Sequence, residues 1–267
     1  MKGREITRAL REGRPIFSSA MVSISPLWPN LVKQSGVDFV FVDTEHTPTD
    51  RLTLSWICQT YQALELPPVV RIPSNDPFEA CKALDAGAAG VIGPYIETAD
   101  QVRGLVGAVK LSPLKGERLR QALEDHQSLE PQLRDYLQQR NGDKILIANI
   151  ESRPAIENLS EICAVEGLDA VLIGPHDLSC SLGIPEQYDH PEFGQAVQTV
   201  LQIARKHRKG AGIHFWQSLD REIEWSKSGA NLIMHSSDLA MFSNTLRNDI
   251  QRLRAAIENV DASRSAG

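Results

Sequence analysis

The chain has 267 residues, a formal net charge of −6, 42% hydrophobic and 23% charged residues, enough ordinary globular sequence to bury a large core without staples. Its acidic balance and lack of a dense Lys/Arg stripe argue against a nucleic-acid partner. No apolar run approaches the roughly 20 residues that span a bilayer, and the charged start M-K-G-R-E-I-T-R-A-L-R-E-G-R-P lacks a signal peptide's apolar core, so a cytoplasmic protein with no membrane partner is expected. Cys58, Cys81, Cys163 and Cys180 are scattered without C-x-x-C spacing and read as reduced thiols.

In chain order, β-branched runs predict strands at Ile16–Val22, Asp38–Asp43, Pro68–Ile72, Gly90–Gly93, Ile145–Glu151, Ala170–Gly174, Ala211–Phe215 and Asn231–His235. Helical patterns fall between them, near 26–36, 49–63, 76–86, 98–109, 154–165, 191–208 and 217–228, with a last one from 238 to about 260. Eight such units in about 250 residues predict an α/β fold, a single (β/α)8 TIM-barrel domain over 1–267. A doubly wound open sheet is the alternative, but no G-x-G-x-x-G follows any strand and no phosphate-binding G-x-x-x-x-G-K-[ST] is present. Residues 112–144 form an insertion after the fourth helix, partly helical over Leu129–Gln139, read as a lid or as a solvated excursion. In the last helix Leu239, Phe242, Leu246, Ile250, Leu253, Ile257 and Val260 make a long apolar stripe, which suits packing on the barrel or an oligomer contact.

Barrel enzymes draw catalytic groups from the C-terminal ends of strands. The second strand ends in Asp43, Glu45 and His46, a run that as a lone motif suits either a site or a helix cap. The third carries Arg71 in an otherwise apolar run. The fifth ends at Asn149 and Glu151, and the sixth in a Gly-Pro turn with His176, Asp177 and Ser179; Glu151 and Asp177 could also each cap the helix that follows. His214 and His235 at the seventh and eighth read individually as core or rim histidines. Several carboxylates at one mouth need positive charge between them, from Arg71 or a divalent cation. Two carboxylates suit an oxygen-liganded ion such as Mg²⁺ or Mn²⁺ rather than a histidine-rich zinc site. None of the nine lysines lies at the C-terminal tip of a predicted strand, so Schiff-base chemistry is not expected.

Five segments carry a resemblance: F-V-D-T-E-H-T-P-T-D, P-P-V-V-R-I-P-S-N-D, L-D-A-G-A-A-G-V-I-G-P, A-N-I-E-S-R-P-A-I-E-N and V-E-G-L-D-A-V-L-I-G-P-H-D-L-S. In this order they resemble the metal-dependent pyruvate aldolases of the HpcH/HpaI family, over about residues 14 to 250. The resemblance implies a class II aldolase that cleaves 4-hydroxy-2-oxo acids to pyruvate and an aldehyde through a stabilised enolate. It implies metal ligands Glu151 and Asp177, a keto-acid contact at Arg71, and an acid–base relay of His46 oriented by Asp43. Asp85 would support that relay across a subunit boundary, and Asn149 with the Gly174-Pro175-His176-Asp177 turn would hold the substrate. The metal is left open among Mg²⁺, Mn²⁺ and Co²⁺. The resemblance further implies a hexamer of paired subunits that exchange the C-terminal helix.

The chain departs from the family pattern at Asn149, where Gln is usual, and at His176, where a small residue is common. Thr47 and the H-S-S-D turn at 235–238 replace glycine-containing turns, and 112–118 differs from the family segment. These changes are expected to crowd the mouth and alter the lid. Two further readings share the scaffold: a metal-dependent decarboxylase of 2-oxo diacids, which needs no relay, and a non-catalytic barrel subunit.

Overall fold

The structure, a computed structural model, describes the backbone of residues 1–265 and the side chains of these residues except His126 and 258–265. Eight parallel strands pair in sequence order and close into a barrel. They are β1 (Ile16–Met21), β2 (Phe39–Asp43), β3 (Pro68–Arg71), β4 (Gly90–Gly93), β5 (Ile145–Ile150), β6 (Ala170–Ile173), β7 (Gly210–Phe215) and β8 (Leu232–Ser237). Each lies within two residues of its predicted ends, and closure of β8 onto β1 excludes the open sheet.

The pleat sorts the strand residues into two cores. Phe39 and Phe41, Val69, Ile145 and Ile147, and Ala170 and Leu172 fill the barrel interior. Their alternates Val40, Val42, Val70, Leu146, Ala148 and Val171 pack outward against the helices. Continued by two, the inward series ends at the mouth in Asp43, Arg71, Asn149, Gly174 and His214. On β7 the deeper inward places are glycines because there is no room for anything else: a Cβ on Gly212 would lie 1.7 Å from the Leu232 carbonyl oxygen.

The outer ring begins with α2 (Trp28–Gln34), α3 (Arg51–Ala63), α4 (Pro77–Asp85) and α5 (Ala99–Lys110). Its local starts are written in the sequence: Asp50 accepts the N–H groups of Leu52 and Thr53, Asp76 that of Phe78, and Thr98 that of Gln101. Beyond β5 come α8 (Arg153–Glu157) and α9 (Leu159–Ala164), one predicted helix broken at Asn158. They are followed by the short α10 (Pro175–Ser181), which the strand–helix alternation did not anticipate, then α11 (Pro191–Lys206) and α12 (Leu219–Lys227).

The opposite end of the barrel is closed by α1 (Gly3–Glu12), also absent from the sequence reading. Its charged run hides Ile6, Ala9 and Leu10, all fully buried in the barrel interior. Asn231 ties it down, its Nδ2 donating to the Leu10 carbonyl at 2.8 Å while its Oδ1 accepts the Ala211 N–H at 3.0 Å. Arg205 donates to the same carbonyl at 2.7 Å.

Residues 112–144 fold as α6 (Gly116–Glu124) and α7 (Pro131–Asn141), joined through a short 3-10 turn. The lid reading is corrected by position. The segment leaves the C-terminal end of α5 and enters the start of β5, so both its ends lie at the α1 end of the barrel, away from the mouth. Asn141 Nδ2 fastens entry to exit by donating to the carbonyls of Lys110 and Ser112, and Leu111, Ala122, Leu129 and Leu137 make a small separate core. The chain ends in α13 (Asp238–Ser265), somewhat longer than predicted. Leu239, Phe242, Leu246, Ile250, Leu253 and Ile257 are exposed along it, Phe242 by 61%; the side chain of Val260 lies outside the described residues.

Because Leu10 fills the barrel floor with no surface left to water, Leu10→Ala is expected to destabilise the fold by about 2–5 kcal/mol, measured by urea denaturation. A loss below 1 kcal/mol would mean that α1 is not part of the barrel core.

Candidate active site

Arg71 is the centre of the mouth. Its Nε donates to Asp43 Oδ1 and its Nη2 to Asp43 Oδ2, both at 2.8 Å. The Nε also lies 3.0 Å from Glu45 Oε2. Since the Nε–H is already aimed at Asp43, that oxygen of Glu45 is an ion-pair partner with no aligned hydrogen bond. The guanidinium sits 5.3 Å from the centre of the Phe41 ring, and its side chain is only 12% exposed. Burial works against the charge on Asp43, but Arg71's bonds and charge outweigh it and hold the carboxyl below its usual range.

Glu151 forms the second anchor. Its Oε1 accepts from Asn149 Nδ2 at 2.9 Å and its Oε2 from the Tyr95 N–H at 3.0 Å. A Cβ on Gly174 would lie 2.3 Å from Oε1, so only glycine lets the tip of β6 close on this carboxylate. Burial above all, joined by the charges of Glu45 and Asp177, pushes the Glu151 pKa up. The alternative cap readings fall away. Ser152, not Glu151, caps α8 through the Ala155 N–H, and Asp50, not the acids at the tip of β2, caps α3. Asp177 stands in the first turn of α10, whose start at Gly174 has no side-chain cap.

The donor set therefore fits a hard divalent cation. Glu151 and Asp177 are like charges that feel each other, and Arg71, the cation coupled to Glu151, is already engaged by Asp43. Among the described residues no three His, Cys, Asp or Glu side chains are grouped so as to hold an ion unaided. A two-carboxylate site of that kind leaves the remaining ligand places to water or substrate oxygens.

Two expectations for the relay change. Asp43 does not orient His46; both its oxygens are taken by Arg71. The acid nearest His46 is Glu45, with Oε2 3.8 Å from Nε2, and the His46 side chain is 61% exposed. Thr47 holds this turn by donating its hydroxyl to the Asp43 carbonyl. Asp85 closes α4 at the end away from the mouth and is exposed, so within one chain it does not meet the site. His176 lies on the rim, 56% exposed, with Nδ1 3.7 Å from Asp177 and Nε2 3.8 Å from Glu186.

Tyr95 escaped the sequence reading because the strand-tip rule was not carried to the fourth strand, whose G-V-I-G-P-Y ends in it. Its phenol is pushed up to about 12, first by the Glu45 carboxylate and then by burial. Cys58 and Cys163 are buried, and burial pushes both thiols up to about 12, which makes them packing groups rather than nucleophiles.

On β8, His235 Nδ1 lies 3.0 and 3.1 Å from the two Glu222 oxygens. That hydrogen bond is the main reason its pKa is raised. The stabilisation is thus complete below the ordinary histidine value of about 6.5 and is lost as pH rises through the raised value. Thermal melts across that window should show a downward step with pH that Glu222→Gln removes. Parallel profiles for the two proteins would exclude the pair as a contributor.

Comparison with known proteins gives a consistent result. The HpcH/HpaI aldolase/citrate lyase family profile matches residues 22–245. The chain is 32% identical over 221 residues to a 5-keto-4-deoxy-D-glucarate aldolase of Klebsiella pneumoniae, covering 82% of this chain and 84% of the relative. It is 31% identical over 237 residues to a 2-keto-3-deoxy-L-rhamnonate aldolase of Escherichia coli, covering 89% and 88%. A crystal structure of a family protein from Burkholderia cenocepacia J2315 superimposes with a TM-score of 0.79 at 28% identity, over 94% of this chain and 99% of that one.

Proposed function

The chain belongs to the HpcH/HpaI aldolase/citrate lyase family, and from that membership we propose how its mouth divides the work. The protein is an aldolase, a carbon–carbon lyase that releases pyruvate from a small-molecule 2-oxo acid. Family members of this kind generally depend on a divalent metal. Glu151 and Asp177 would hold the cation, Mg²⁺, Mn²⁺ or Co²⁺, which when bound supplies positive charge to the developing enolate. No described helix is long and apolar enough to cross a membrane, and the barrel with α13 is read as one domain over 1–267.

The remaining roles belong to the chain's own groups. Arg71 binds the keto-acid end: Asp43 takes its Nε and one Nη2 hydrogen, which leaves Nη1 for a substrate oxygen. Asp43 accordingly positions Arg71 rather than His46. The backbone of Gly174, Pro175, His176 and Asp177 receives the carboxylate, and Asn149 fixes the Glu151 oxygen that faces it. Cleavage of the C3–C4 bond requires the C4 hydroxyl to lose its proton, and His46, at the open edge of the mouth, accepts it directly or through water. Asp85 of a neighbouring subunit would supply a hydrogen-bonded carboxylate to this imidazole, which Glu45 of its own chain approaches only to 3.8 Å.

What supports this reading is the electrostatic coupling of one arginine to three acids from two strand ends: Asp43, Glu45 and Glu151 all act on Arg71. Pyruvate release from a panel of 4-hydroxy-2-oxo acids should require Mg²⁺ or Mn²⁺ and stop on addition of EDTA. Arg71→Ala should lower kcat/KM by about 10²–10³-fold. Turnover that survives EDTA, or that Arg71→Ala leaves intact, would refute the assignment.

The same family reading extends to assembly, as a hexamer of paired subunits that exchange α13. The exposed row from Leu239 to Ile257 is apolar surface of the sort that association covers. Leu246→Glu combined with Ile250→Glu should reduce the mass seen by light scattering after size exclusion; an unchanged mass would exclude α13 from the interface.

A further inference from the structure

His214 is the inward residue of β7 that the roles above leave unused. It follows Gly210 and Gly212 in the inward series, so it stands at the mouth in the same layer as Asp43 and Arg71. Its side chain is half-buried. Its ring meets Phe41 edge-on at 5.4 Å between centroids, and Phe41 carries Arg71. Trp216 flanks it at 5.8 Å.

The hydrogen bond of this ring decides its chemistry. Nε2 lies 2.9 Å from the Ser236 carbonyl oxygen. A carbonyl only accepts, so Nε2 carries the hydrogen and Nδ1 keeps its lone pair. No described residue bonds Nδ1. Ser236 is held at φ 48°, a left-handed conformation unfavourable for a side-chain-bearing residue, and is buried. The pairing of β1 with β8 shifts register at the same place, between Ser18 and Ala20. The backbone thus departs from regular geometry where it presents the carbonyl that fixes the imidazole.

We propose that His214 is a specificity residue whose Nδ1 accepts a hydrogen bond from a hydroxyl on the aldehyde portion of the substrate, so that the mouth prefers hydroxyaldehydes to their deoxy counterparts. The proposal rests on the aldolase reading above. Arg71, the β5 carboxylate and the β6 turn engage the 2-oxo acid end, which carries no hydroxyl donor of its own. The β7 wall therefore meets the other portion. Burial lowers the His214 pKa to about 4, so the ring is neutral near pH 7 and acts as an acceptor there. A neutral acceptor without a protein partner loses free energy when an alkyl group displaces its water, and this asymmetry gives polar sites their discrimination.

The test uses the full-length protein with Mn²⁺ in the condensation direction. Glycolaldehyde and propanal differ by a hydroxyl in place of a methyl, and kcat/KM with pyruvate is measured for each in the wild type, His214→Leu and His214→Asn. Exchange of pyruvate methyl protons in D₂O, followed by NMR without aldehyde, reports enolate formation and foldedness in every variant. The expected result is a preference for glycolaldehyde that falls on the order of tenfold or more in His214→Leu. His214→Asn, which keeps an acceptor near the Nδ1 position, should retain part of that preference. An unchanged ratio in a His214→Leu protein that still exchanges protons would overturn the role of His214 alone. Absence of exchange in the wild type would overturn the aldolase reading and this proposal with it.

Discussion

The mouth of this barrel is organised by one desolvated ion pair. Asp43 and Arg71 sit on adjacent strands in register with each other, each at the last inward position, so the pleat alone delivers them face to face. A buried pair of this kind is weak evidence for stability, since taking both charges out of water offsets much of their attraction. Its value is geometric. The bidentate contact fixes the plane of the guanidinium, Phe41 supports it from below, and Glu45 and Glu151 are placed around a cation that cannot swing away. Remove the pairing and the carboxylates of β2 and β5 become a repelling cluster with nothing to order them.

Glycines make the other half of the arrangement possible by absence. Gly174 brings the β6 turn against Glu151, and Gly210 and Gly212 let the β7 backbone close on Leu10, Ala170 and Leu232 below His214. Both effects come from backbone approaching where a side chain would stand. The mouth is therefore built from charged groups that need each other and from backbone packed too closely to carry side chains. The opposite end of the barrel is covered by α1 and braced by the α6–α7 insertion.

Much of this was legible in the sequence. The strands were, because buried parallel strands read as continuous β-branched runs bounded by turn residues. The strand-tip list was too, since an acid or an arginine at the end of such a run stands out: Asp43, Arg71, Asn149, Glu151 and Asp177 all lie at the mouth. What failed had physical reasons. The opening helix α1 was masked by its charges, which face water while Ile6, Ala9 and Leu10 face inward. The lid reading fails because a connection from helix to strand emerges at the far end of a barrel. The orientation of His46 by Asp43 is what the resemblance implies, whereas Arg71 on the next strand is the partner that Asp43 meets in space. In the sequence His214 is a lone histidine, and its meaning appears only when the pleat shows which way β7 faces.

The anchoring of α1 also bears on how the chain is made. This helix finds its docking partners in Arg205 and Asn231, which lie 195 and 221 residues beyond Leu10 in the sequence. Until those residues have been synthesised, Leu10 and Ile6 have no floor to fill. Contacts so distant in sequence make folding slow and late, so during translation the apolar face of α1 is a surface for chaperones to shield rather than a nucleus on which the barrel grows.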